Sequence, residues 1–294
     1  MPESEPAESA EFRTTVFRNH SRLFQDNRFV YPVVSRRSGG VSVGVNLNPD
    51  KVCNFDCIYC QVNRRTAAET RFVEMDRLLS ELAEVLTQVR SGAIFDHASF
   101  ADTPAEYRRL NDIAFSGDGE PTTYRNFDDI VQQAAGVRHR VCDSDSKMVL
   151  ITNASMFHRS HVQRGLEVFD RNNGQIWAKL DAGTEDYYRL IERTPIPFQQ
   201  ILDNITLAAR IRPLVIQSLF MNVHGTPPTD AEIEAFCARL QHMVRAGGQL
   251  QLVQIYTVAR PPAESFVTPL SEEFLQRISS VVADRTGLQT AVYL

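Results

Sequence analysis

The chain has 294 residues, of which 43% are hydrophobic, 23% charged and 9% aromatic. These are the proportions of an ordinary globular protein, and they set aside collagen-like, disordered and coiled-coil readings. Its 31 basic and 36 acidic side chains leave a formal charge of −5, the wrong sign for a protein that holds nucleic acid mainly by neutralising phosphates.

With no apolar run of about 18 residues and an acidic first stretch in place of a basic signal region, the expectation is a cytoplasmic protein without a membrane partner. Residues 1–13 are rich in Glu, Pro and Ser, and residues 1–28 are expected to form a flexible extension ahead of a core at 29–294. Over 41–47 the valines at 41, 43 and 45 alternate as in a strand, which Asn48-Pro49-Asp50 ends. A cysteine-rich loop follows. Apolar residues at helical spacing predict a helix over 72–90, and after a polar loop a short strand at 112–115 runs into Ser116-Gly117-Asp118-Gly119-Glu120-Pro121. The alternation then repeats: helix 126–135, strand 148–152, weak helix 158–168, strand 175–181, helical pieces 184–191 and 198–210, strand 214–223, helix 229–246, strand 250–258 and a closing helix 271–285. Six strands separated by helices favour parallel crossovers in an α/β fold. A single α/β barrel routinely runs to roughly 250 residues, and neither repeat nor linker divides the chain.

Three of the five cysteines, Cys53, Cys57 and Cys60, form C-x3-C-x2-C on the loop after the first strand. In a reduced compartment such spacing points to metal. Structural zinc asks for four protein ligands, whereas a cubane iron–sulfur cluster held by three thiolates keeps one iron open. Cys142 and Cys237 are distant and no histidine lies within thirty residues of the triad. A zinc- or cluster-stabilised binding module without turnover remains the alternative to an enzyme.

Along 175–181 the period of two puts Ile176, Ala178 and Leu180 on one face and Gln175, Trp177, Lys179 and Asp181 on the other. If the apolar set faces the helices, Lys179 and Asp181 point into the barrel, where charges must be paired or used. They are the candidate catalytic residues, for binding a substrate carboxylate or for amine chemistry, and a plain buried ion pair is the alternative. Gln217, Ser218, Gln254 and Tyr256 are further interior candidates. The arginines at 36, 37, 64, 65 and 71 are candidates for an anion-binding patch or for solvated surface, and residues 260–264 form a charged rim loop after the sixth strand.

The cysteine spacing after a first strand, with Tyr59 just before the last cysteine, resembles the radical S-adenosylmethionine (radical SAM) superfamily. That resemblance implies a partial (β/α)6 barrel of the TIM type. It also implies a [4Fe–4S] cluster on Cys53, Cys57 and Cys60, and S-adenosylmethionine (SAM) cleaved reductively to a 5′-deoxyadenosyl radical that takes hydrogen from a substrate. Gly119-Glu120 is similar to the superfamily's Gly-Gly-Glu element for the SAM amino group. Tyr59, Thr152 and Asn153 would complete the cofactor site, and an electron donor such as flavodoxin or ferredoxin would serve it. Ser35-Arg36-Arg37, the Cys-Asn-Phe-Asp-Cys-Ile-Tyr-Cys-Gln run, Leu180-Asp181-Ala182-Gly183 and Arg260-Pro261-Pro262-Ala263-Glu264 further resemble the group related to 4-demethylwyosine synthase, a tRNA-modifying enzyme. Those synthases carry extra upstream cysteines, and none precedes Cys53 here. The substrate implied is thus a small molecule, a peptide or an RNA, with tRNA base modification as one alternative.

Overall fold

The computed structural model describes residues 24–294 except 36, 65–67, 69, 71 and 143–144. The expected extension up to residue 23 and the arginines at 36, 65 and 71 therefore lie outside the described residues.

An antiparallel hairpin opens the fold, β1 (Val30–Ser35) pairing with β2 (Gly40–Val45). Six more strands follow in parallel: β3 (Leu110–Phe115), β4 (Lys147–Thr152), β5 (Gly174–Lys179), β6 (Leu214–Leu219), β8 (Leu250–Tyr256) and β10 (Thr290–Tyr293). They form one eight-stranded sheet in the order β1-β2-β3-β4-β5-β6-β8-β10. Two short strands, β7 (Met221–Val223) and β9 (Val267–Pro269), pair with each other apart from it. The connections carry seven helices among the described residues: α1 (Met75–Ser91), α2 (Phe127–Val141), α3 (Ser160–Asp170), α4 (Glu185–Glu192), α5 (Phe198–Ile211), α6 (Asp230–Arg245) and α7 (Glu272–Thr286).

Each strand sorts its side chains by parity. Ile113, Met148, Leu150, Ile176, Ile216 and Val253 join the large core beneath the helices, whereas Ala114, Val149, Trp177 and Val215 make a separate small cluster on the inner face. Two apolar faces with different partners are what a sheet curled into a half-barrel requires. The curl brings the two ends of the sheet together: Arg37, in the β1–β2 turn, lies 4.8 Å from the centre of the Tyr256 ring on β8.

The six expected strands are β2 to β6 and β8, and the α/β half-barrel is present. Three boundaries differ. β1 carries Pro32, which reads as a strand breaker but is tolerated at a sheet edge, where β1 lies. The strand expected over 214–223 breaks at Phe220, whose N–H is the last to bond β8 before the chain leaves for β9. β10 is four residues long and half-buried, too short for a pattern to stand out.

Candidate functional site

The cysteine loop leaves the C-terminal end of β2 and is tied down from three sides. Asn46 Oδ1 accepts from the N–H of Asn48 and of Asp118, and its amide donates to Asp118 Oδ2 at 2.7 Å, which joins the loop to the Gly-rich turn after β3. Asp56 and Ile58 donate their N–H groups to the carbonyls of Glu192 and Ile191 at the end of α4, and Thr194 Oγ1 donates to the Asn54 carbonyl. On the third side Ala263, in the rim loop, donates to the Cys60 carbonyl. Phe55, Ile58 and Tyr59 are buried in the core while the three cysteines are only half-buried. The apolar residues of the loop anchor it and turn Cys53, Cys57 and Cys60 onto one cavity of about 380 Å³ at the mouth of the half-barrel. Active sites of barrels of this kind lie at this end of the strands.

Gly119 lets the turn approach the cysteine loop, since a Cβ there would fall 2.8 Å from Asn48 Cβ and closer still to the Val52 carbonyl. The next residue, Glu120, is 4% exposed. Its Oε1 accepts from Thr122 N–H, Thr122 Oγ1 and Thr152 Oγ1 at 3.1, 2.5 and 2.6 Å, and its Oε2 from Asn153 N–H at 2.7 Å. Each carboxylate oxygen offers about two acceptor positions, and Oε2 takes only the Asn153 N–H, so one of its positions is left. Burial raises the Glu120 pKa against these hydrogen bonds, which favour the ionised form. Asn153 donates through its side chain to Asn54 Oδ1, beside Cys53. Gly119, Glu120, Thr152 and Asn153, four of the expected cofactor residues, thus meet at one wall of the cavity that holds the cysteines.

On the other wall, Lys179 Nζ sits 3.1 Å from Asp181 Oδ2 and 3.1 Å from Tyr256 Oη. Asp181 also accepts from the Tyr59 hydroxyl and, through Oδ1, from Leu219 N–H at 2.6 Å. The two candidate catalytic residues are therefore joined as an ion pair, and Lys179 faces the cavity while Asp181 lies behind it. Burial opposes the Lys179 ammonium, but Asp181, then Tyr256 and Glu192, hold its pKa well above the usual lysine value.

Glu192 is the residue that sequence reasoning missed. It comes from the end of α4, accepts from the Cys57 thiol at 2.7 Å and lies 3.1 Å from Tyr59 Oη. Burial first, then the Asp181 carboxylate, push its pKa up to about 8 despite Lys179. Nothing local in Leu190-Ile191-Glu192-Arg193 marks it, because Cys57 and Tyr59, to which it bonds, lie more than 130 residues away.

Arg64, a candidate for an anion-binding patch or for solvated surface, is instead turned toward the cysteines. It donates to the Lys51 carbonyl at 2.5 Å and to Cys60 Sγ at 3.5 Å, and its charge also acts on Cys53. Of the further interior candidates, Gln217 and Tyr256 line the cavity, Gln254 accepts from the Gln217 amide at 3.1 Å and lines an adjoining pocket, and Ser218 turns away to the Leu180 carbonyl.

No three or more His, Cys, Asp or Glu side chains among the described residues converge as ligands of a single ion. A cubane cluster spreads its thiolates over separate irons, and three half-buried thiols on one cavity wall, with a guanidinium against two of them, fit such a group.

Comparison with known proteins bears on these residues. The family model described as the Radical SAM superfamily matches residues 47–240. The UPF0026 protein MJ1312 of Methanocaldococcus jannaschii is 24% identical over 265 residues, 87% of this chain and 71% of its own length. A Brachyspira hyodysenteriae protein named GTPase Obg is 25% identical over 61% of this chain, which spans only 23% of that relative. Among solved structures, TYW1 with a lysine-pyruvate adduct bound superposes with a TM-score of 0.51 at 13% identity, covering 93% of this chain and 81% of that one. Streptococcus suis SuiB bound to S-adenosylmethionine gives 0.55 at 12% identity over 86% of this chain and 51% of that one. The half-barrel is the fold they share.

Proposed function

The chain belongs to the radical SAM superfamily, and from that membership we propose that it is an enzyme holding a [4Fe–4S] cluster on Cys53, Cys57 and Cys60 with SAM beside it. The observation that carries the reading is one cavity that bears three thiols with the Glu120–Thr152–Asn153 cradle beside them. When bound, the cluster supplies the electron that cleaves SAM to methionine and a 5′-deoxyadenosyl radical, which takes a hydrogen atom from substrate.

The chain's own residues do the positioning. Glu120 offers its remaining Oε2 acceptor site to the SAM ammonium, fixed in place by Thr122, Thr152 and Asn153. Asn54, Asn153 and Ser155 form a hydrogen-bonded chain that holds the Cys53 end of the loop against the cradle. Tyr59, locked between Asp181 and Glu192, fixes the Cys57–Cys60 end. Ala114, Val149 and Trp177 of the inner apolar cluster line the cavity and would keep water from a reactive radical. The reductant of this reading is a flavodoxin or ferredoxin. No described helix is long and apolar enough to cross a membrane.

TYW1, in the structure cited above, carries a lysine-pyruvate adduct, and Lys179 is the lysine of this cavity wall. Its ammonium is held charged by Asp181, which suits it to binding an anion more than to attack on a carbonyl.

The test is anaerobic reconstitution with iron and sulfide, followed by chromatography for 5′-deoxyadenosine after addition of SAM and dithionite. The expected result is about four irons per chain and 5′-deoxyadenosine formation, both lost in Cys57→Ala. Stoichiometric zinc with no iron uptake would replace the reading by that of a metal-stabilised binding module.

A further inference from the structure

The cavity also holds a cation that pairs with no carboxylate among the described residues. Arg37, expected to belong to an anion-binding patch, reaches across from the β1–β2 turn and stacks 4.8 Å from the centre of the Tyr256 ring. Its charge also acts on Tyr293. No acceptor or carboxylate among the described residues takes a hydrogen bond or ion pair from its guanidinium, and it lines the cavity. Lys179 Nζ lies 5.7 Å from the same Tyr256 ring and 4.7 Å from that of Tyr59. Cations and aromatic rings therefore alternate along the wall: Tyr59 beside the cysteines, then Lys179, Tyr256 and Arg37.

The acids of the cavity are already engaged. Asp112 accepts from Ser42 at 2.5 Å and from Asn111, Asp118 from Asn46, and Glu120 from its threonines and Asn153. Asp181 balances Lys179. Arg37 is left with a fork of N–H donors and a full charge, pre-oriented by the ring beneath it, which is how guanidinium groups receive carboxylates and phosphates.

Resting on the radical SAM reading of this cavity, we propose that Arg37 and Lys179, both set against the Tyr256 ring, form an anion subsite. The substrate is then a small organic acid or phosphate monoester, held by its charged group at the seam where the curled sheet closes. Its uncharged part extends toward the cysteine loop. SAM would be held at the Glu120 wall, on residues other than Arg37 and Lys179.

Trp177, the single tryptophan of the chain, lines the same cavity two residues before Lys179 on the same strand face, so its fluorescence reports occupancy. Reconstituted protein saturated with SAM is titrated with pyruvate, with inorganic phosphate and with neutral dihydroxyacetone at constant ionic strength. Iron content and 5′-deoxyadenosine formation are measured on the same sample. The expected result is a saturable change with pyruvate or phosphate, whichever anion the seam prefers, and none with dihydroxyacetone. Arg37→Gln should weaken it at least tenfold, and Arg37→Lys, which keeps the charge, should weaken it less. No saturable response to either anion, an equal response to the neutral compound, or unchanged affinity in Arg37→Gln of native iron content overturns the subsite. If anions bind but the chain takes up no iron and cleaves no SAM, the subsite stands and the superfamily chemistry fails. The reverse pattern removes the subsite alone.

Discussion

Replacing Glu120 by Gln exchanges one carboxylate oxygen for an NH2 group and separates the structural duty of this residue from its proposed role in binding. The carboxylate accepts from two backbone N–H groups, Thr122 on Oε1 and Asn153 on Oε2. An amide has one oxygen. With that oxygen on the threonine side, the new NH2 faces the Asn153 N–H. Turned the other way, it faces the Thr122 N–H, and only the Thr122 and Thr152 hydroxyls can rotate to accept from it. Either orientation leaves one buried backbone donor without an acceptor, which costs about 1–3 kcal/mol. For a chain of this size that lowers Tm by roughly 2–12 °C. The ammonium of SAM meanwhile loses a charged acceptor, a term of about 1.5–3 kcal/mol, which weakens SAM binding about 10- to 100-fold. Thermal melts followed by circular dichroism and equilibrium dialysis of SAM against reconstituted protein read the two effects. A Tm within one degree of the parent chain would show that the cradle is not formed as described. Unchanged SAM affinity at full iron content would show that Glu120 braces the two strand ends and does nothing more.

Gly119→Ala should push the Asn48–Val52 segment away from the turn, costing about 1–3 kcal/mol and lowering iron retained per chain after reconstitution. Gly136→Ala, mid-helix in α2 with only the flexible Arg140 end 3.4 Å away, should stabilise by up to about 1 kcal/mol with iron unchanged; loss of iron in both would remove the steric explanation. Lys179→Met strands the buried Asp181 carboxylate and should cost about 3–5 kcal/mol in urea melts. Adding Asp181→Asn should recover part of that loss, and strictly additive effects would mean that the pair is not coupled. Burial pushes the Cys237 thiol up to about 11, so at pH 8 only about one thiol in a thousand is ionised. Iodoacetamide should leave Cys237 unmodified by peptide mass mapping there, with labelling rising as pH approaches 11; ready labelling at pH 8 would contradict its burial in α6.

The half-barrel was legible because period two survives in its central strands. Gln175 to Lys179 reads correctly from the sequence down to which residues face inward, since each face has its own apolar partner and a slip of one residue would exchange them, whereas Asp181, past the strand end, lies behind the cavity wall and not in it. β1 was hidden because Pro32 argues against a strand wherever both sides are paired, and only its place at the edge removes the objection. The thiols were legible for a different reason: three cysteines within eight residues carry their spacing in the chain itself.

What holds those thiols was not legible, and the reason is distance along the chain. Glu192 meets Cys57 across 135 residues and Tyr59 meets Asp181 across 122. Such pairs have no period, and each member taken alone reads as a polar residue near a helix end or a core tyrosine. Arg37 and Arg64 show the same limit in reverse, since the sequence grouped them as one basic patch. Folding sends Arg64 to the Cys60 sulfur and Arg37 to the Tyr256 ring. The separation follows from topology: the β1–β2 turn lies at the sheet edge that closes toward β8, whereas the loop after Cys60 stays over the cysteines. Two arginines of one composition thus come to face a thiolate site and an open cavity. Exchanging each for Gln should therefore give different phenotypes, with iron retention falling in Arg64→Gln and anion binding falling in Arg37→Gln. The same phenotype in both, read by iron content and Trp177 fluorescence, would put the two charges back into one patch.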